Sequence, residues 1–410
     1  MRKEFSSIAE NIVGSEIINL NNKVKNVNGA KNYTIGDFDP NIHKIPEQLK
    51  LYITEELFNN ATQYAANNGE IPLKLAIKEL MFEKGLSYNI NQILIGCGVR
   101  PLIYLLFKTL IDENDKVAFP VPSWNNNHYS MLTKAQQIPI ETTPENNFFP
   151  TIEDIKKIIS DVNLICLCSP QNPTGSAIDN AVMEKIIELI LKENELRILA
   201  DKKPVYLFLD QVYSDLVSVN NYFNFEKFGK KTQEYIIGVD GISKTLCATG
   251  VRVGWLYGSE RFINQASKIM SHLGAQAPRF IQLGVAKYLK QITLYEEFVS
   301  DKVFYYKEIF NKYIDILYNL KNLGYKVDYI PPKGAIYISI KLDYYDKFST
   351  LNEMVDFLIN ECKIAIVPFE YFGSETNKGW FRLSIGQINL ETIEDDLNLL
   401  QETIKKLHNK

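Results

Sequence analysis

The sequence of 410 residues contains few histidines, few cysteines and little net charge. Its four histidines are scattered, and its five cysteines lack the spacing of a zinc site, so we predict no metal site. The cysteines are odd in number and lie mostly in apolar segments, which is typical of reduced core residues in a cytoplasmic protein. The formal net charge of −4 gives no electrostatic basis for binding nucleic acid.

Long apolar runs are also missing. No run approaches the roughly 20 residues that are needed to span a bilayer, and the N-terminal residues lack the apolar core of a signal peptide. The sequence therefore predicts a protein that neither enters nor binds a membrane. Hydrophobic residues make up 46% of the chain, which is an ordinary globular content. A chain of this length is too long for one ordinary core, so two domains are expected.

From residue 93 onward, short apolar runs alternate with helical patterns, which predicts an α/β fold. Strands that alternate with helices form a mainly parallel sheet flanked by helices on both faces. The predicted strands of this sheet are 93–95, 116–120, 137–142, 164–168, 205–210, 234–239 and 253–258. We assign them to a large domain of residues 45–297. After a predicted long helix at 298–323, strands and helices of mixed order indicate a smaller α+β domain formed by residues 1–44 and 298–410.

One segment combines a lysine and an arginine at a suggestive spacing. Lys244 follows Ser243 in a small, flexible turn, and Arg252 lies eight residues later. Lysine amines condense with carbonyls to form Schiff bases, and the guanidinium of arginine suits a phosphate. Pyridoxal 5′-phosphate carries both an aldehyde and a phosphate. Taken alone, such a segment is usually an ordinary solvated loop.

A second candidate is the turn that follows the strand at 93–95. It contains Gly96 and Gly98 and leads into a helix that begins around Val99 and Arg100. A strand, a glycine turn and a helix N-terminus together form an anion site from backbone N–H groups. Such turns also occur for packing reasons alone, and this one matches neither the dinucleotide glycine pattern nor a P-loop.

Four more residues stand at the predicted ends of strands or inside an apolar strand. Asn172 lies in a tight turn, which a plain β-turn would also explain, and Asp210 ends a strand with Tyr213 close by, where it also suits a helix N-cap. Trp124 follows another strand and either stacks on a flat ring or packs in the core. Arg382 is a single charge in an apolar strand, which indicates either a buried salt bridge or a substrate carboxylate.

As an ordered set, these motifs resemble fold-type I pyridoxal-phosphate enzymes, specifically the class I/II aminotransferases of the aspartate-aminotransferase superfamily. The resemblance runs from about Tyr33 to the C-terminus and includes Asn-Pro-x-Gly at 172–175, Asp-x-x-Tyr at 210–213, Ser-Lys at 243–244 with an arginine at 252, and an arginine at 382. It implies a large domain of the pyridoxal-phosphate transferase type with pyridoxal 5′-phosphate as its cofactor.

The resemblance also implies a role for each motif residue. Lys244 would form the Schiff base, Asp210 would pair with the pyridine nitrogen, and Tyr213 with Asn172 would hydrogen-bond the ring oxygen. The remaining contacts to the cofactor, by stacking on the ring or holding the phosphate, would come from Trp124, Gly98, Val99, Arg100, Ser243 and Arg252. The substrate carboxylate would be bound by Arg382, Gly36 and Asn172. Tyr64 would reach the phosphate of the neighbouring subunit, which implies a homodimer with shared active sites.

The predicted reaction is transfer of an amino group from an L-amino acid to a 2-oxo acid. A β-eliminating C–S lyase or related synthase on the same fold is the alternative, and a binding or regulatory protein without catalysis is a third possibility. The side-chain specificity stays open, because no second arginine is clearly placed for a distal carboxylate. Arg279 and His272 lie in a predicted loop, but a structural role is favoured for each. Aromatic residues expected near the pocket favour an apolar or aromatic substrate side chain; they are Phe38, Trp124, Phe369 and Tyr371.

Overall fold

The computed structural model of the chain describes residues 4–12, 14–217 and 228–410. A seven-stranded sheet lies at its centre, with the strand order β2-β8-β7-β6-β5-β3-β4. Its strands are β2 Ile93–Gly96, β3 Lys116–Val121, β4 Gln136–Glu141, β5 Leu164–Cys168, β6 Tyr206–Asp210, β7 Ile236–Gly241 and β8 Gly254–Tyr257. All neighbouring pairs are parallel except the two that involve β8. The mainly parallel α/β sheet predicted from the sequence is therefore confirmed.

The continuous apolar runs of the strands are explained by burial of both faces of the sheet. In β5, Leu164 and Cys166 belong to one hydrophobic cluster, whereas Ile165 and Leu167 belong to the cluster on the other face. Successive side chains of a strand point to opposite faces, so a run without polar residues is expected only where helices cover both. The helices up to residue 289 are α1 Ser7–Asn11, α2 Glu16–Lys25, α3 Glu47–Phe58, α4 Ile71–Glu83, α5 Val99–Leu110, α6 Asn126–Thr133, α7 Ile152–Ile158, α8 Asn180–Leu199, α9 Lys231–Tyr235, α10 Ile242–Thr245, α11 Glu260–Leu273 and α12 Arg279–Leu289.

A second, four-stranded sheet of order β12-β13-β10-β9 follows the long helix α13. The N-terminal strand β1, Lys31–Asn32, pairs with β11 in this part of the molecule. The remaining elements are α13 Ile292–Asn322, β9 Val327–Ile330, β10 Tyr337–Leu342, α14 Leu351–Asn360, β11 Ile364–Ala365, β12 Val367–Pro368, β13 Trp380–Ser384 and α15 Ile393–Asn409. Helix α13 begins six residues before the predicted start, so the proposed boundary at residue 297 falls inside it. The division into two domains stays a prediction.

The segment around His272 and Arg279 is helical rather than the loop that the sequence analysis predicted. His272 lies in the last turn of α11, and Arg279 is the first residue of α12. Gly274 adopts a left-handed φ of 61° as the cap of α11, and Pro278 precedes α12. Glycine after a helix and proline at the start of the next are helix-boundary signals, and here they enclose only a short connection. In the described ranges, no helix is long and apolar enough to cross a membrane.

His43 is a buried histidine in an aromatic environment, and it predicts an acid sensitivity of the fold. Its ring is 1% exposed and packs against Phe38 and Tyr305 at centroid distances of 5.6 and 5.3 Å. Burial, assisted by Lys302, lowers the pKa of His43 from 6.5 to about 4. The unfolded chain therefore binds more protons between these values, and the stability contributed by the neutral ring is lost as the pH falls from 6.5 towards 4.

We expect His43→Phe to remove this part of the acid sensitivity. The loss attributable to His43 between pH 7.5 and pH 5 is about 2 kcal/mol by linkage. Urea unfolding of the wild type and the variant at both pH values measures it, with the exposed His272→Gln as the control. Equal pH dependence of the wild type and His43→Phe would contradict the prediction.

Candidate active site

A cavity of about 570 Å³ opens at the carboxyl ends of β5 and β6. Cys168 and Asp210, the last residues of these two strands, are register partners and both line the cavity. Ligands of parallel α/β sheets collect at this edge because the loops that follow the strands converge there. The structure brings most of the predicted site residues to this cavity: Gly36, Val99, Arg100, Trp124, Asn172, Asp210, Tyr213, Ser243, Lys244, Arg252 and Arg382.

Lys244 projects into the cavity from the short helix α10, which directly follows β7. Its amine donates a hydrogen bond to the carbonyl of Gly36 and lies 5.6 Å from the ring centroid of Phe38 and 5.9 Å from that of Tyr213. Burial lowers the pKa of the Lys244 amine to about 8, with a smaller opposing effect of Asp37. A larger fraction of the amine is therefore neutral near pH 7 than for an ordinary lysine, as a nucleophile or a proton acceptor requires.

Asp210 presents a carboxylate to the same cavity from the end of β6. It accepts a hydrogen bond from the backbone N–H of Val212 at 3.1 Å. Burial raises the pKa of Asp210 to about 6, although Val212 and Lys244 oppose the shift. Within the described part of the chain, no cationic side chain forms an ion pair with Asp210 at 4.0 Å or less. A buried carboxylate without a protein cation suits a cationic group on a ligand.

Arg382 lies in the wall of the cavity on β13 and is only 1% exposed. Its Nη1 donates to Asn172 Oδ1 at 2.8 Å and its Nη2 donates to the carbonyl of Thr34 at 2.6 Å. Its Nε has no hydrogen-bond partner among the described residues, and burial lowers the pKa of the guanidinium. A buried guanidinium with an unused donor and no carboxylate within ion-pair distance in the described ranges is suited to an anionic ligand.

Tyr337 is a cavity residue that the sequence analysis missed. Its hydroxyl lies 2.6 Å from that of Tyr213, and its ring centroid lies 4.6 Å from the Arg382 guanidinium carbon. The antiparallel pairing of β10 with β13 places Tyr337 opposite Ser384, two residues from Arg382. The available signal was an aromatic residue near the start of a strand, but the sequence did not show that this strand pairs with the strand of Arg382. The missed residues of the cavity wall also include Ile12, Ser15, Ile17, Ile18, Asn21, Asp37, His128 and Tyr129.

An anion cradle is formed by the N-terminus of α5 and the side chain of Arg252. Gly98 precedes this twelve-residue helix with a φ of 78°, and a Cβ added there would lie 2.3 Å from Arg252 Nη2. The guanidinium itself donates to the carbonyls of Thr249 at 2.9 Å and Cys97 at 3.3 Å. Only glycine permits this approach of Arg252 to the helix N-terminus, where backbone N–H groups and the helix dipole attract negative charge.

Other predicted residues lie elsewhere. Tyr64 is fully exposed in the loop between α3 and α4, away from the cavity of its own chain. Arg279 bonds Gln63 Oε1 at 3.0 Å and lies 3.5 Å from Glu70, and neither it nor His272 lines the cavity. Phe369 is wrong as a pocket residue, because it stacks in the core on Trp380 at 6.2 Å. Tyr371 likewise does not line the cavity, so the aromatic argument about the substrate weakens.

The fold and the cavity together place a lysine amine, an anion cradle and a buried carboxylate at the edge of a mainly parallel α/β sheet. The family profile described as aminotransferase class I and II matches residues 32–397. The chain therefore belongs to the class I and II aminotransferases. This assignment confirms the predicted family, the predicted fold and the predicted amino-group transfer; family membership implies pyridoxal phosphate as the cofactor.

Curated relatives and solved structures agree with this assignment. An aspartate aminotransferase of Bacillus sp. (strain YM-2) is 25% identical over 88% of this chain and 87% of its own length. Aromatic-amino-acid aminotransferase 2 of Thermococcus litoralis is 25% identical over 98% of each chain. The crystal structure of the aspartate aminotransferase from Rhizobium meliloti superposes with a TM-score of 0.86 at 20% identity, covering 98% of this chain and 99% of that one.

Proposed function

We propose that the cavity binds pyridoxal 5′-phosphate and that the chain uses it to transfer the amino group of an L-amino acid to a 2-oxo acid. The observation that carries the proposal is the placement of Lys244, Asp210 and the Arg252 cradle in one cavity. The three groups complement a carbonyl carbon, a pyridine nitrogen and a phosphate, respectively. The close approach of Arg252 to Gly98 supports a phosphate site here. The space that a Cβ at residue 98 would fill is taken by the guanidinium that would bind the phosphate.

In this proposal, each residue acts through its own chemistry. The cofactor, when bound, supplies the carbon that condenses with amines and a ring that accepts electron density from the substrate Cα. Asp210 holds positive charge on the ring nitrogen, and Arg252, Ser243 and the amides of Val99 and Arg100 hold the phosphate. Trp124 lies on the cavity wall where it can cover a ring face. Tyr213 and the amide nitrogen of Asn172 donate to the ring oxygen.

The substrate is oriented by Arg382 in this proposal. A carboxylate bound by the guanidinium, with the Gly36 segment beside it, fixes which bond at Cα faces the cofactor ring. Lys244, whose amine contacts the Gly36 carbonyl, then lies on the substrate side of the cavity. Its neutral amine accepts the proton that leaves Cα and returns one when the product forms. The first amino acid leaves as a 2-oxo acid and leaves its amino group behind. In the reverse half-reaction, this amino group is passed to a second 2-oxo acid, which leaves as the product amino acid.

A panel of single half-reactions tests the function. The purified holoenzyme is mixed with one amino acid at a time, and the visible spectrum and the 2-oxo acid released are measured. The panel starts with aspartate, phenylalanine and tyrosine, because relatives are named as aspartate, aspartate/prephenate and aromatic aminotransferases. We expect stoichiometric 2-oxo acid and a lasting spectral change that an added 2-oxo acid reverses. Release of ammonia and pyruvate from a β-substituted amino acid, without reversal, would favour the lyase instead.

We further propose a homodimer with shared active sites. Tyr64 is 102% exposed, and Phe58 and Ile71 nearby in sequence are 82% and 60% exposed. Large apolar side chains in this number on α3, α4 and their connecting loop are typical of a surface that a partner covers. A second copy of the chain would bury them and bring Tyr64 to the phosphate cradle of its partner.

Mixing two variants tests the shared site. Tyr64→Phe removes one hydrogen bond to the phosphate, so we expect cofactor affinity to fall about tenfold. At limiting cofactor, a mixture of Tyr64→Phe and Lys244→Ala chains should recover about a quarter of the sites in wild-type form, because each mixed dimer holds one complete site. Activity is measured after the two chains are unfolded and refolded together, with chains refolded separately as the control. Absence of recovery, or a monomer by sedimentation velocity, would contradict the shared site.

A further inference from the structure

A buried ionic cluster lies behind the active site and outside the cavity. It consists of the ammonium of Lys84, the carboxylates of Asp215 and Asp240, and the hydroxyl of Tyr295. Lys84 Nζ donates to Asp215 Oδ2 at 2.6 Å, and the Tyr295 hydroxyl donates to the same carboxylate. Lys84 and Asp240 line one small cavity of about 10 Å³. None of the four residues lines the cavity that contains Lys244 and Asp210.

The cluster is attached to both turns that carry the central chemistry. Asp215 lies two residues after Tyr213 and five after Asp210 in the turn that follows β6. Asp240 is the penultimate residue of β7, just before the Lys244 turn, and its Oδ1 accepts a hydrogen bond from the Gly241 amide at 2.6 Å. At the other end of that turn, the side chain of Thr245 opposes the rise in the pKa of the Tyr295 hydroxyl that burial causes. The cluster therefore contains the residue that precedes the Lys244 turn's first glycine, Asp240, and a residue of the Asp210 turn, Asp215.

Burial within the cluster favours the neutral form of the Asp240 carboxyl group, because it raises the pKa of that group. Asp215 and Asp240 are 7% and 8% exposed, so two bare carboxylates against one ammonium would leave a costly buried charge. Burial raises the pKa of Asp240 to about 8, and Asp215 and Asp210 add to this shift while Lys84 opposes it. With Asp240 protonated, the Lys84–Asp215 pair is electrically neutral. A buried, satisfied polar group of this kind fixes the relative position of its attached segments more specifically than apolar packing does.

We propose that Lys84, Asp215, Asp240 and Tyr295 form a positioning cluster that holds the Lys244 turn and the Asp210–Tyr213 turn in a fixed relation. The proposal rests on the proposed function for the roles of Lys244 and Asp210. The cluster touches neither substrate nor cofactor and acts through these two turns. Helix α13 contributes Tyr295 and the end of α4 contributes Lys84, so the cluster also anchors both turns to the helical layer that covers the sheet.

Tyr295→Phe tests the proposal, because it removes the hydroxyl that donates to Asp215 and keeps the ring. Tyr288→Phe is the matched control. Tyr288 is a buried tyrosine on the neighbouring helix α12, and its hydroxyl donates a hydrogen bond to the Leu294 carbonyl at 3.4 Å. The first readout is the pKa of Lys244 in the cofactor-free full chain, measured by pH-dependent reductive methylation and mass spectrometry of the Lys244 peptide. The second is kcat and KM of the holoenzyme with its best substrate pair.

We expect Tyr295→Phe to raise the pKa of Lys244 by about one unit towards its ordinary value, because a loosened turn exposes the amine to water. In the holoenzyme, kcat should fall about tenfold with KM within about twofold, since misplacement of the amine affects the chemical step. Thr245→Val, which removes the hydroxyl that influences Tyr295 from within the Lys244 turn, should shift both readouts in the same direction. It also keeps the test valid if Tyr295→Phe does not fold.

A purely structural role predicts a different pattern. In that case Tyr295→Phe and Thr245→Val would lower the thermal midpoint, as we expect for Tyr288→Phe, and would leave the Lys244 pKa and kcat at wild-type values. This result would overturn the proposal. The Lys244 pKa is measured without cofactor, so it also separates the two proposals. A shifted pKa in a chain that performs no transamination would support the positioning cluster and reject the proposed function.

Discussion

Lys244→Ala is expected to abolish amino-group transfer, with a decrease in kcat of at least about 10⁴-fold. The methyl group of alanine can neither condense with a carbonyl nor accept the proton from the substrate Cα. No other lysine is on the described wall of the cavity, so no neighbouring amine is placed to substitute for it. Stopped-flow measurement of one half-reaction, with 2-oxo acid quantified at the end, measures the loss directly.

Two further measurements would show that the loss of activity is due to the missing Lys244 amine. Lys268→Ala, a change of an exposed lysine on α11, serves as the control and should retain wild-type turnover. Borohydride treatment of the wild type in the presence of the cofactor should add its mass to the Lys244 peptide and to no peptide of the variant. Turnover of Lys244→Ala within about tenfold of the wild type would contradict the assignment of the lysine as nucleophile and base.

The sheet and the central residues of the cavity were predictable because local signals and topology agree. The apolar run of β6 ends at Asp210, and the rule that ligands collect at carboxyl ends then places this carboxylate at a binding site. The Ser243–Lys244 turn follows the next strand of the sheet, β7, which is the parallel neighbour of β6. The sequence order of these strands therefore carries most of the information on which side chains meet.

Other parts of the site depend on contacts that the spacing of residues along the sequence does not predict. Tyr337 reaches Arg382 through the antiparallel register of β10 and β13, which a pattern of alternating residues does not specify. Ile12 and Ile18 line the cavity although their segment is more than two hundred residues from Lys244 in sequence. Phe369 was misplaced because its position in the sequence does not show which way its ring points. The turn that follows β12 directs this ring into the core, where burial of an aromatic side chain is favourable.

Arg382→Met is expected to lower kcat/KM strongly and to change the free energy of unfolding only slightly. Removal of the guanidinium deprives the substrate carboxylate of its charged partner, and we expect kcat/KM to fall about 10³-fold, the value of a buried bidentate ion pair. The fold loses the hydrogen bonds to Asn172 and Thr34 but no longer buries a charge that has no carboxylate partner in the described chain. These effects oppose each other, so the free energy of unfolding should change by less than about 1 kcal/mol.

Arg197→Met is the matched control, because Arg197 is an equally buried arginine with a structural set of partners. Its Nε pairs with Glu193 at 2.8 Å, and its Nη1 and Nη2 donate to the carbonyls of Lys203 and Ile159, both at 2.9 Å. Its removal leaves a carboxylate and two carbonyls without a donor, so we expect a loss of about 3 kcal/mol in unfolding free energy and an unchanged kcat/KM. Urea unfolding and steady-state kinetics of both variants measure the contrast. A large loss of stability in Arg382→Met with normal kcat/KM would assign Arg382 to the fold instead of to the substrate.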